Sequence, residues 1–138
     1  MKGNPMTPEL TILGWTLVLA VVQILLPAML RTSETGVDYN ASARDAPSSA
    51  PVGKITGRLQ RAQQNLFETL PLFAAAILIA HVAGRMGELT YWGALLYLAA
   101  RVLYVPLYAA GIPVVRSLVW LVSLIGLILV LIAVLIPA

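Results

Sequence analysis

The chain has 138 residues, 59% of them hydrophobic and only 11% charged, with a mean hydropathy of +0.87 and a formal charge of +3. A soluble domain carries about 25% charged residues. A chain of this length has too small an interior to hide so much apolar surface, which points to lipid as the solvent and to a single membrane domain. Most basic residues flank apolar runs, so the positive charge suits lipid head groups or an anionic ligand rather than nucleic acid. The absence of cysteine excludes disulfides, thiolate metal sites and a cysteine nucleophile.

A spanning helix needs roughly 20 predominantly apolar residues. The first is expected over residues 8–30, opened by Pro8 and Glu9, which suit the first turn and the positive end of a helix dipole. Residues 10–30 carry no charge. That run is longer than the ~7–15-residue core of a cleaved signal peptide, so the helix reads as retained. Residues 32–53 are rich in Ser, Thr, Asp, Asn, Ala, Pro and Gly without apolar periodicity, which predicts an exposed, mobile loop. A second helix is expected over 54–83, polar in its first half and apolar in its second, with Pro71 inside it as a source of a kink. A short turn leads to a third helix over 89–110, which contains Arg101. Gly111-Ile112-Pro113 then breaks the chain before a fourth over 113–136, uncharged from Ser117 onward. The expected fold class is therefore an all-α, four-helix membrane bundle.

Orientation follows from the basic residues. The first and third loops share a side that holds Arg31, Arg44, Lys54, Arg58, Arg61 and Arg116, against Lys2 and Arg85 on the other. The positive-inside rule puts the basic side in the cytoplasm and both termini outside it.

The polar residues of the second and third helices are not scattered. At 100° per residue, Arg58, Arg61, Asn65 and Glu68 fall within an arc of about 80°, and Tyr97, Arg101, Tyr104 and Tyr108 within about 60°. Two polar stripes at one depth face each other or a neighbouring subunit, and Arg116 heads the fourth helix at the same level. Arg31, Arg44, Lys54 and Arg85 fit interfacial anchors, and Trp15, Trp92 and Trp120 fit belt or packing residues. His81 stands alone, so no metal site is expected. An Arg61–Glu68 or Arg101–Glu68 pair could also serve only to hold helices together. As a pocket, the guanidiniums suit carboxylates, Glu68 and Asn65 suit an ammonium or amide, and the tyrosines supply hydroxyls and flat apolar walls. The implied ligand is small, zwitterionic and net anionic, and a lipophilic second molecule can arrive from the bilayer.

The run Arg61-Ala62-Gln63-Gln64-Asn65-Leu66-Phe67-Glu68, followed by Pro71-Leu72-Phe73, resembles the signature of the MAPEG family (membrane-associated proteins in eicosanoid and glutathione metabolism). Arg101, Tyr104 and Tyr108 resemble that family's R-x-x-Y-x-x-x-Y run late in the third helix. The resemblance covers nearly the whole chain. It implies a homotrimer of four-helix subunits, of a bacterial inner-membrane type, with glutathione as co-substrate between subunits near the cytoplasmic side. It also implies that Arg58, Arg61, Asn65, Glu68, Arg101, Tyr104 and Tyr108 hold the glutathione. Counted from the tyrosines, the arginine that activates the thiol in the synthase branch falls at Val115, beside Arg116, and a shift at Gly111–Pro113 makes Arg116 the catalytic candidate. Thr69 stands where the leukotriene synthase branch has a tyrosine, which argues against that substrate, and Gly57 replaces an acidic residue often found before the motif.

The expected function is a glutathione-dependent transferase or peroxidase acting on lipophilic electrophiles. The alternatives are a non-catalytic lipid-binding or scaffold member of the family and, further off, a small proton-coupled exporter built around Glu68.

Overall fold

The computed structural model describes residues 6–48 and 50–136. It contains five helices among the described residues: α1 (Pro8–Thr35), the short α2 (Val37–Ala41), α3 (Lys54–Val82), α4 (Glu88–Ala109) and α5 (Pro113–Leu135). Four of them, all but α2, are long and apolar enough to cross a membrane. With no strand among the described residues, the chain is an all-helical, multi-pass membrane bundle.

Each end of α1 is set by local chemistry. Thr7 accepts the Leu10 N–H at 3.2 Å, which satisfies one of the free donors of the first turn, and Pro8 follows at a position that needs no N–H. The helix outlasts its apolar run. It continues past Leu30 to Thr35 and stops at Gly36, whose φ of +91° is open to glycine. The extra turn and α2 correct the expectation of a loop over 32–53. Apolar composition marks where a helix leaves lipid, whereas its end is set by the first residue that breaks the hydrogen-bond ladder.

The remainder of that loop is fastened by the same extra turn. Arg31 donates through Nη1 to Pro51 O at 3.0 Å and through Nη2 to Ala50 O at 2.9 Å. Glu34 accepts from Gly53 N–H at 2.6 Å and from the Thr56 hydroxyl at 3.0 Å, which places a carboxylate at the positive end of α3. A 3.7 Å contact between Arg31 and Glu34 ties the two together. Arg31, expected as an interfacial anchor, is therefore a loop clasp.

At the opposite end of the bundle, the Thr90 hydroxyl accepts Gly87 N–H at 2.8 Å and donates to Glu9 Oε2 at 2.7 Å. Glu9 is only 4% exposed, so a residue read as a helix-start signal joins α1 to α4 in the interior. Arg85 on this side reaches Val134 O at 3.4 Å, near the end of α5.

The core lies where α1, α3, α4 and α5 meet, around Leu66, Phe73, Ile77, Ala94, Tyr97, Leu127 and Val130. Phe73 and Tyr97 stack at 4.0 Å between ring centroids, and the Tyr97 hydroxyl shares a 2.7 Å hydrogen bond with Thr69. α3 runs unbroken through Pro71. α4 and α5 approach through two glycines: a Cβ on Gly93 would lie 2.6 Å from Gly126 O, and one on Gly126 would lie 2.5 Å from Gly93 O. Without a hydrophobic force between helices in lipid, such backbone proximity is the main source of their attraction.

Gly126→Val should therefore force the α4–α5 hairpin apart, at a cost of about 1–3 kcal/mol. A lowered thermal midpoint in detergent checks this. Gly14→Ala, where no atom outside its own helix lies within 4 Å of the added carbon, should not lower it.

Candidate functional site

The basic end of the bundle gathers the start of α3, the end of α4 and the start of α5. Gly111 makes the α4–α5 connection with φ +75°, and Pro113 opens α5 directly after it. This turn carries Arg116 back over α4, where its guanidinium carbon lies 4.5 Å from the Tyr108 ring centroid. Val115 is exposed and makes no such contact. The geometry thus separates the two neighbours that counting along the sequence left side by side.

Tyr108 is approached from α3 as well. Arg61 donates through Nε to the Tyr108 hydroxyl at 3.2 Å, with its guanidinium carbon 5.8 Å from the ring centroid. Tyr104 meets Tyr108 edge to face, with centroids 5.5 Å apart, and Arg101 lies 4.6 Å over the Tyr104 ring. The result is a cluster of two adjoining tyrosine rings flanked by guanidiniums, Arg101 on Tyr104 and Arg61 and Arg116 on Tyr108. Such stacking holds several positive charges close together.

The stripe on α4 divides by direction. Tyr97 and Arg101 are both 0% exposed and point inward, Tyr104 is buried at 3%, and Tyr108 is half-buried at the surface. Tyr97 belongs to the core through Phe73 and Thr69. Arg101 reaches the surface only indirectly, by donating through Nη1 to Asn65 Oδ1 at 2.8 Å. Its Nε and Nη2 are buried without a partner among the described residues.

The stripe on α3 divides too. Arg58 donates through Nη1 to Ala109 O at 3.1 Å and covers Gly111, so its guanidinium caps the end of α4. Arg61 and Glu68 are exposed on the outside of the bundle, and Asn65 is half-buried between them. Of the two arrangements open to the stripes, mutual contact within the chain therefore holds for Arg61–Tyr108 and Asn65–Arg101, while Glu68 is exposed at the bundle surface. The deeply buried carboxylate is Glu9, at the other end. Neither Arg61–Glu68 nor Arg101–Glu68 forms an ion pair among the described residues, where the 3.7 Å Arg31–Glu34 contact is the one ion pair found.

Beside Arg116 a shallow, open depression of about 590 Å³ runs along the surface of α5, lined by Leu118, Trp120 and Leu121. Among the described residues no cluster of three His, Asp or Glu side chains is placed to hold a metal ion.

The family's sequence pattern matches residues 12–136, which takes in all four spans and every residue of the stack. The chain belongs to the MAPEG family. That family includes glutathione transferases and peroxidases along with other members. No curated protein matches the chain. Within this MAPEG chain, the stripe residues on α3 and α4 serve two ends. Some build the surface stack, and others (Arg101, Tyr97, and Arg58 through its cap) hold the helices that carry it.

Three residues outside the motif also matter. Glu9, Thr16 and Gln23 recur every seven residues along the buried seam of α1, between Leu13, Ala20 and Pro27. That spacing was a usable signal for inward-facing polar groups, but it is diluted by the apolar run around it.

Removing the Asn65 acceptor should strand the rest of the Arg101 guanidinium. Asn65→Leu is expected to cost about 1.5–3 kcal/mol, the range for a hydrogen bond to a charged group. Asn65→Asp, which keeps the acceptor and adds the opposite charge, should stay near wild type. Chemical or thermal unfolding of the two variants in detergent provides the comparison.

Proposed function

We propose that this protein is a membrane-bound, glutathione-dependent transferase or peroxidase acting on lipophilic electrophiles. The observation that carries the reading is the Arg61–Tyr108–Arg116 stack on the outside of the subunit. Glutathione presents two carboxylates, one ammonium and a thiol. Arg61 and Arg116 suit the carboxylates or the thiolate, Glu68 suits the ammonium, and Asn65 and the tyrosines suit the peptide amides. Arg101 and Arg58 contribute from behind, through Asn65 and the α4 cap.

A free thiol titrates near 8.5 and reacts as the thiolate. A guanidinium beside the sulfur that lowers this value by ~2 units supplies about 2.7 kcal/mol toward the charged form. The thiolate then forms a C–S bond with the electrophile as the leaving group departs with its electron pair. With a hydroperoxide it attacks the O–O bond instead, and a second thiol completes the disulfide as two electrons reduce the peroxide to alcohol and water. The hollow beside Arg116 offers a lipid-side approach for such a substrate.

Glu68 and Arg61 are exposed on helices that cross the membrane. A charged side chain facing hydrocarbon at mid-bilayer costs about 2.5–3.5 kcal/mol even on the mildest scale. Further copies of the chain covering that face remove the cost, and the family resemblance makes the assembly a homotrimer. The site then lies between subunits. By the distribution of basic residues it faces the cytoplasm of a bacterial inner membrane, with both termini on the other side.

Purified protein in detergent should conjugate glutathione to a generic aryl halide. Arg116→Ala should lower kcat by at least about tenfold, the loss of ~1.4 kcal/mol of transition-state stabilisation, with a smaller change in glutathione affinity. Binding without turnover toward any electrophile or hydroperoxide would sink the catalytic reading in favour of a lipid-binding or scaffold member. Absence of glutathione binding would sink both forms of the glutathione site.

A further inference from the structure

Four buried side-chain polar atoms lack a hydrogen-bond partner among the described residues, and they belong to two side chains: Gln23 Oε1 and Nε2, and Arg101 Nε and Nη2. Gln23 is 2% exposed and Arg101 is 0% exposed. Gln23 lies on the seam of α1 that packs against α3 and α4, and Arg101 lies on the buried face of α4.

Two independent contacts fix their relative depth. Glu34 meets Gly53 and Thr56 at the basic end, and equal helical rise along α1 and α3 from there brings Gln23 level with Asn65, the partner of Arg101, to within about one turn. Glu9 meets Thr90 at the other end, and equal rise along α1 and α4 brings Gln23 level with Tyr104, about one turn from Arg101. The unpartnered amide and the unpartnered guanidinium edge therefore occupy one layer of one bundle.

Their chemistry is complementary. Arg101 offers two N–H donors and no acceptor, whereas Gln23 offers one carbonyl acceptor and an NH₂ group. A buried cation without partners is among the most costly arrangements in an apolar interior, and so is a lone buried amide.

We propose that Gln23 is the interior partner of Arg101, joined to it through one or two ordered internal waters. Each water accepts from Arg101 Nε–H, Arg101 Nη2–H or Gln23 Nε2–H, and one donates to Gln23 Oε1. This gives the two to four polar contacts that an internal water requires. Through this link α1 fixes the guanidinium from behind, and the guanidinium fixes Asn65 at the ligand face. Gln23 is thus a positioning residue that never touches the ligand. This second step rests on the glutathione reading given above, while the link between Gln23 and Arg101 does not.

The test uses the full chain in detergent, with Gln23→Leu, Gln23→Glu, Arg101→Met and the double variant Gln23→Leu/Arg101→Met. If the groups are linked, Gln23→Leu lowers the thermal midpoint of the wild-type background. In the Arg101→Met background the same substitution leaves the midpoint unchanged or raises it. Gln23→Glu keeps the oxygen and adds a charge opposite the guanidinium, so it holds the midpoint near wild type. A Gln23→Leu midpoint at or above wild type overturns the link, because an unlinked buried amide is better replaced by an apolar isostere. Equal shifts in both backgrounds overturn it as well.

Calorimetry with glutathione tests the positioning role. Gln23→Leu should weaken binding roughly three- to tenfold and Gln23→Glu should restore it. Unchanged affinity in Gln23→Leu overturns that role. If the wild-type protein binds no glutathione, the glutathione reading falls, and the midpoint comparison still decides the link.

Discussion

Arg101 carries its charge in a bundle whose interior and surroundings are both apolar. In that setting the energy of the guanidinium depends on the few groups able to touch it, and those groups belong to different helices. Asn65 on α3 takes one N–H, and the Tyr104 ring on its own helix covers a face. Losing either leaves a buried cation less compensated, a penalty larger than most single packing contacts in the core. The relative rotation and depth of α3 and α4 are therefore set by Arg101. The surface stack inherits that register, since Asn65 and Tyr104 lie one helical turn from Arg61 and Tyr108 respectively.

Similar logic operates at the edges of the bundle. Arg58 binds the Ala109 carbonyl at the end of α4, Glu34 binds the Gly53 N–H and Thr56 hydroxyl at the start of α3, and Arg31 binds two carbonyls of the incoming loop. Helix ends leave backbone groups unpaired, and water is scarce near the lipid boundary, so charged side chains from a neighbouring element satisfy them. The bundle uses part of its arginine set in this way. A count of positive charges therefore overstates how many are free for a ligand.

Much of this was legible in the residues. Four spans follow from apolar composition, and the two stripes follow from the angular period of a helix. The motif from Arg61 to Glu68 together with Arg101, Tyr104 and Tyr108 identifies the family. What was hidden has a common cause. Helical-wheel arithmetic says which residues share a face, but not what covers that face. It could not say that Tyr97 and Arg101 turn inward while Tyr108 sits at the surface, or that Glu68 is exposed. Nor could hydropathy locate the end of α1, because Arg31 to Thr35 are polar yet helical. Gln23 and the interior role of Glu9 escaped notice because a lone polar residue beside or within an apolar run has no visible partner until the helices are brought together.

The paired glycines of α4 and α5 bear on how the protein is made. The helices are joined by the three residues Ala110, Gly111 and Ile112, and their closest approach involves backbone atoms rather than long side chains. Contacts between segments so near in sequence form at little cost in chain entropy. The last two spans can thus leave the translocon as a preassembled hairpin. α1 and α3 supply the remaining walls, and closing the bundle then reduces to docking that hairpin against them.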